Sequence, residues 1–177
     1  MEDDVSNWSV SDSDSLTTGT WERVDPNGTI YNSQMAAPED DATGGSQNIM
    51  CFVTQNGEPG GSVGEDDVDN GSTTLVSPLL DVAGTNGIIS YARWFFDSQD
   101  SDSLQTYISN DNGVSWTFVH QTEGTNSQWD TVGFSIGDYV EPTNQVRVAF
   151  MTEDADPQSI VEAGIDNFQL DPHEAWW

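Results

Sequence analysis

Along this chain, apolar residues come in short runs or in alternation with polar ones, and they rarely recur at the three-to-four spacing of an amphipathic helix. The pattern predicts strands at TWERVDP (20–26), NIMCFVTQ (48–55), TTLVSPLLDV (73–82), IISYARWFF (88–96), LQTYISN (104–110) and SWTFVHQT (115–122). WDTVGFSI (129–136), QVRVAFMTE (145–153) and AGIDNFQL (163–170) complete the set. The run at 88–96 is the longest and is predicted to be a central strand. Pro78 inside 73–82 predicts an edge position or a bulge, because proline cannot donate to a ladder. Eight or nine short strands separated by turn residues predict an all-β fold, an antiparallel two-sheet β-sandwich of the jelly-roll type. No linker divides the chain, so 1–177 reads as one domain with its core at about 8–170 and loose ends at 1–19 and 171–177.

Composition changes this picture in one respect. The 177 residues carry 31 acidic side chains against three basic ones, a formal charge of −28. So high a charge in a polar chain can signal disorder, but seven tryptophans, seven phenylalanines and four tyrosines argue for a packed core. The charge weighs against nucleic acid as a partner and against anionic membranes, both of which need Lys/Arg contacts. No apolar run is long enough to insert into a membrane. The single cysteine, Cys51, lies in an apolar run and reads as a buried small hydrophobe. The acidic start MEDDVSNWSV does not read as a signal peptide; Met1 reads as the start of a module cut from a longer secreted chain.

The densest carboxylate group is GEDDVDNG (64–71), where Glu65, Asp66, Asp67 and Asp69 fall within five residues, directly before a strand. Their mutual repulsion is relieved by a cation, and calcium takes six to eight oxygen ligands. This predicts a Ca2+ site at Asp67 and Asp69, with Glu39, Asp40 and Asp166 as partners from separate loops. The spacing is not that of an EF-hand. SDSDS (11–15) and DSQDSDS (97–103) read as exposed flexible loops. SNDNGVSWTF (109–118) fits Ser-x-Asp-x-Gly-x-Ser/Thr-Trp and resembles the Asp-box of sialidases. Asn112-Gly113 would supply positive φ, Ser109 and Asp111 would bond the turn, and Trp116 would cover its base. A single copy does not make a propeller.

Arg93 and Arg147 fall inside predicted strands; one or the other is expected to pair with Glu162, and the alternative is that these arginines line a ligand groove. Alternation puts Val146, Val148 and Phe150 on one side of their strand with Arg147 on the other, and groups Glu162, Asp166 and Phe168. Catalytic constellations are poor: there is no lysine, the only histidines are His120 and His173, and no Gly-x-Ser-x-Gly elbow occurs. The reading is therefore of a protein that is not an enzyme.

In order, GTWERVDPNGT, APEDDAT, CFVT, GEDDVDNGSTTLVSPLLDV, ISYARWF, ISNDNGVSWT and IVEAGIDNFQL resemble the jelly-roll accessory domains of secreted bacterial proteins. These are distantly like MAM domains and carbohydrate-binding modules. They stand beside zinc carboxypeptidase-type peptidases and in surface proteins of marine bacteria. The resemblance implies a two-sheet sandwich with a structural calcium ion at Asp67, Asp69 and Asp166. It carries no peptidase activity, since the catalytic zinc motif is missing. The resulting expectation is an extracellular, calcium-stabilised binding module. It would recognise a polysaccharide or other extracellular polymer and hold covalently linked neighbouring domains of a larger protein near it. Trp129, Tyr107, Trp94 and Arg93 are the candidate ligand-binding residues. A protein-interaction or structural module, with Trp176 and Trp177 as interdomain contacts, is the alternative reading, and a jelly-roll polysaccharide-cleaving enzyme the third.

Overall fold

The computed structural model describes residues 7–44, 49–154 and 157–171. Two five-stranded antiparallel sheets face each other across one apolar core. The first has the order β1 (Ser9–Asp12), β6 (Ser72–Val76), β11 (Arg147–Glu153), β8 (Ser103–Ser109), β9 (Thr117–Glu123). The second has β10 (Asp130–Ser135), β7 (Ile88–Asp97), β12 (Val161–Asp171), β5 (Cys51–Thr54), β2 (Trp21–Val24). A small hairpin, β3 (Ile30–Tyr31) with β4 (Gln34–Met35), stands apart. The β-sandwich expected from the alternating pattern is therefore present.

Alternation decides what fills the core. Leu75 of β6, Leu104 and Ile108 of β8, and Val148 and Phe150 of β11 point inward from the first sheet. Ile89, Tyr91 and Phe95 of β7 and Val161, Ala163 and Ile165 of β12 meet them from the second. Phe150 lies at the centre, with Tyr91 at 4.8 Å and Phe168 at 6.2 Å between ring centroids, both edge-on. As expected, β7 lies inside its sheet, between β10 and β12, and both its faces are covered.

Four expectations need correction. Residues 8–19 are not loose: Trp8 packs on Phe52 and Phe168 at 5.0 and 5.2 Å, and β1 extends the first sheet. The strand before Pro78 is not an edge, since β6 lies between β1 and β11 and ends at Val76; the other half of that expectation, a bulge, fits, because pairing with the β11 side resumes at Leu80↔Val146 with one extra residue on the Pro78 side. Phe168 does not share a side with Glu162 and Asp166. A bulge between Asp166 and Gln169, with Asn167 at φ 49°, shifts the alternation and turns Phe168 into the core. SDSDS and DSQDSDS are tied down rather than free. Asp12 accepts hydrogen bonds from Thr20 Oγ1 and Thr73 Oγ1 at 2.8 and 2.6 Å. Buried Asp97 accepts from the amides of Gln99, Ser101 and Asp102 and from Ser159 Oγ. Residues 172–177, with His173, Trp176 and Trp177, lie outside the described residues.

Candidate functional site

The outer faces of the two sheets differ. That of the second sheet is roofed by residues 31–43. Trp94, out of phase with the core residues of β7, donates from Nε1 to the Ala36 carbonyl at 2.6 Å. Tyr31 meets Phe96 edge-on at 6.0 Å, and the Ala42 amide donates to Asp166 at 3.0 Å. Trp129 packs on Trp94 at 5.8 Å and donates from Nε1 to the Asp40 carbonyl at 2.9 Å. Gly164 is small for this reason, since a Cβ there would come within 2.7 Å of the Trp129 ring.

The outer face of the first sheet carries no such roof of strands or loops among the described residues. Its register aligns Ser9, Val76, Ala149, Tyr107 and Phe118 in one row across all five strands. A parallel row holds Ser11, Thr74, Met151, Gln105 and Gln121. Small residues in the centre and aromatics toward β9 leave a shallow groove of about 350 Å³, lined by Ser11, Thr74, Val76, Tyr107, Trp116, Ala149 and Met151. Four inter-strand spacings make this face about 19 Å wide. Tyr107 and Phe118 meet edge-on at 5.7 Å, and the Tyr107 hydroxyl donates to Gln105 Oε1. Trp116 and Phe118 are 38% and 48% exposed.

The 109–118 hairpin fixes Trp116. Asn112 and Gly113 both take positive φ, as the sequence implied. Ser109 Oγ donates to Asp111 Oδ1 and accepts from the Gly113 amide at 2.7 and 2.8 Å. Asp111 also accepts from the Ser115 amide and hydroxyl at 2.9 and 2.6 Å. The Ser115 and Ser109 bonds hold the Asp111 carboxyl down at about 2. The Trp116 ring rests over Gly113.

Of the four expected ligand-binding residues, only Tyr107 lies on this open face. Trp94 is buried, and Trp129 is spent on packing it. Arg93 follows the phase of Tyr91 and Phe95 and pairs with Asp130 at 3.2 Å, not with Glu162. Arg147 is on the first sheet, out of reach of Glu162; it donates from Nε to Asn112 Oδ1 and from Nη1 to the Ser77 carbonyl at 2.6 and 2.7 Å. Trp116 and Phe118 were missed as surface residues, although their spacing of two in SWTF already put them on one face.

The expected metal residues do not converge as one set. Asp67 is buried beside Val68, accepts from the Val161 amide at 3.3 Å, and its neighbours are Asp69, Asp154 and Glu162. Burial, then Asp69, raise the Asp67 carboxyl to about 7. Burial and then Asp67 push Glu162 well above the usual range, and burial chiefly raises Asp154 to about 6. Asp166 lies four residues along β12 from Glu162, about 13 Å away in an extended strand. Its neighbour is Asp41, and burial is the main cause of its raised carboxyl. Glu39 accepts from the Gly28 amide at 2.8 Å, and Asp40 is exposed.

The acidic residues thus gather in two separate places rather than the single one expected; Asp154 and Asp41 were not foreseen there, and Glu162 was expected beside an arginine instead. Among the described residues, no three carboxylate, imidazole or thiol side chains come together as a metal-holding group. The donors around Asp67 are all oxygens, the kind that calcium takes, and an ion there would favour their charged form over the protonated one. An ion there would draw its remaining ligands from backbone carbonyls and water.

The sequence matches no protein-family profile and no curated protein. Solved structures share the fold. The module TmCBM61, solved with β-1,4-galactotriose, is 13% identical over 95% of this chain and 90% of its own, with a TM-score of 0.53. The family 11 carbohydrate-binding module of Clostridium thermocellum, solved with a β-1,3-1,4-mixed-linked tetrasaccharide, is 14% identical over 99% and 94%, with a TM-score of 0.54. The K1 cleaved adhesin domain of Lys-gingipain from Porphyromonas gingivalis W83 is 14% identical over 93% and 90%, with the same score. None of these three neighbours ties the chain to MAM domains or to zinc carboxypeptidases. At such identities the likeness establishes the jelly-roll sandwich and nothing finer.

Proposed function

We propose that this protein is a non-catalytic extracellular module that binds a polysaccharide across the open face of its first sheet. The observation that carries the proposal is the row of Tyr107 and Phe118, flanked by hairpin-clamped Trp116, beside a floor of small side chains. Aromatic faces offer flat apolar platforms, and Gln105, Thr74 and Ser11 offer hydrogen bonds to hydroxyls. Two of the fold's neighbours were solved with oligosaccharides bound, which supports the reading. In this proposal the module is stabilised by calcium at the Asp67 pocket and holds a larger secreted protein at its substrate.

The test is affinity electrophoresis through gels containing soluble plant, algal and bacterial polysaccharides. Retardation by at least one polymer is expected. Trp116→Ala or Tyr107→Ala should each weaken binding by about 2 kcal/mol, roughly thirtyfold, as for buried aromatic anchors. Trp129→Ala should lower the melting temperature and leave retardation in place. Retardation untouched by Trp116→Ala and Tyr107→Ala would rule this face out. No retardation by any polymer would favour a protein partner on the same apolar patch.

A further inference from the structure

The groove runs into a second cavity of about 540 Å³, lined by Asn7, Trp8, Ser9, Val76, Asn112, Gly113, Trp116 and Arg147. The two share Val76 and Trp116, so a chain lying on the aromatic row reaches Arg147. Arg147 is one of three cations against 31 acidic residues. Arg93 is matched by Asp130. Arg147 bonds instead to two neutral acceptors, the Asn112 side chain and the Ser77 carbonyl, and to no carboxylate among the described residues. A guanidinium has five N–H donors, and these bonds leave about three of them uncommitted. Its orientation is fixed by the same hairpin that clamps Trp116, so its remaining donors are presented to the cavity rather than free to wander.

We infer that this cavity is a subsite for a carboxylate-bearing sugar, a uronic acid residue, within an otherwise neutral polymer. The inference rests on the polysaccharide reading above. A planar carboxylate matches the fork of a guanidinium, whereas a neutral hydroxyl does not need a permanent charge. The rest of the molecule sets the density of such groups. A formal charge of −28 repels a continuous polyanion, so the chemistry that fits is sparse carboxylates on a neutral backbone. A lone, pre-oriented cation can read one such group per binding site.

The experiment compares glucuronic-acid-substituted xylan with the same xylan after carboxyl reduction, alongside a panel of other uronate-bearing polymers and their reduced forms. Titration calorimetry gives affinities for the wild type, Arg147→Gln and Trp116→Ala. The wild type should prefer uronate-bearing over reduced polymer at least fivefold. Arg147→Gln should bring that ratio to about one, and Arg147→Lys should restore part of it. A merely structural role for Arg147 would shift both affinities together and leave the ratio intact. Binding without a uronate preference, a preference that survives Arg147→Gln, or a stronger preference for sulfated polymers overturns the inference while leaving the polysaccharide reading in place. Binding to no polymer in the panel, or binding indifferent to Trp116→Ala, overturns both.

Discussion

Raising the pH should destabilise the calcium-free protein across a range where most proteins change little. Asp67 titrates at 3.8 in the unfolded chain and at about 7 when folded. Between those values the folded state holds a proton that the unfolded state has lost. Unfolding stability therefore falls as pH rises from about 4 and levels off above about 7. A move from 3.8 to about 7 corresponds to about 4 kcal/mol at full strength. Charge interactions in proteins follow an effective dielectric well above that of a dry interior even at buried sites such as Asp67, so about 2 kcal/mol is the working figure. For a chain of this size that is about 4–8 °C in melting temperature. Asp154 and Glu162 shift in the same direction and add to the fall. Asp97 opposes it only at the acid end: its carboxyl is held below 3.8, so its contribution is lost as pH drops below that value.

The assay is thermal unfolding by circular dichroism from pH 4.5 to 8.5, in chelator and in millimolar calcium. In chelator the melting temperature should be highest at the acid end of this range and fall toward pH 8. Calcium, by favouring the charged carboxylates, should flatten or reverse that slope and raise the melt most at high pH. Asp67→Asn should stabilise the chelated protein at pH 8 and remove the calcium increment. A chelated protein as stable at pH 8 as at pH 5 would refute the buried-carboxyl argument. A melt indifferent to calcium at pH 8 would refute the proposed ion.

Gly164→Ala should cost about 1–3 kcal/mol, because the new methyl meets the Trp129 ring at 2.7 Å; urea unfolding measures it. Phe150→Ala, at the centre of the aromatic core and fully buried, should cost about 3–5 kcal/mol in the same assay. Cys51 is fully buried; burial, and then the carboxylates of Asp166 and Asp41, push its thiol far up. It should resist Ellman's reagent in the native protein and react at once in denaturant.

The sandwich was legible because alternation and turn residues report directly on local structure. Every one of the nine predicted runs contains a strand, and the Asn112-Gly113 turn was readable from two residues. β1 was not, since Ser9–Asp12 is exposed throughout and polar but for Val10, and the ladder with β6 rather than its own composition makes it a strand. The site was less legible because it depends on pairings between distant segments. Tyr107 and Phe118 become neighbours only once β8 and β9 are in register, with a bulge after Thr106. Asp67 and Asp166 look alike in sequence, yet the one-dimensional spacing of β12 keeps their pockets apart.

The choice of the first sheet as the proposed binding face follows from what each face lacks. The second sheet presents Trp94, Phe96, Glu162 and Asp166 outward, a mixture that water and apolar cover serve equally badly; residues 31–43 cover Trp94, Phe96 and Asp166, and Glu162 is buried beside Thr54 and Asp67. The first sheet presents serine, threonine, alanine and glutamine, with Val76 and Met151 half-buried among them, and then adds Tyr107, Trp116 and Phe118. The hairpin does not require the Trp116 ring: the bonds among Ser109, Asp111, Gly113 and Ser115 close the turn without it. Removing the ring should therefore leave the fold standing. A large aromatic held rigid and half in water, at a position where folding does not need it, points to a partner outside the chain.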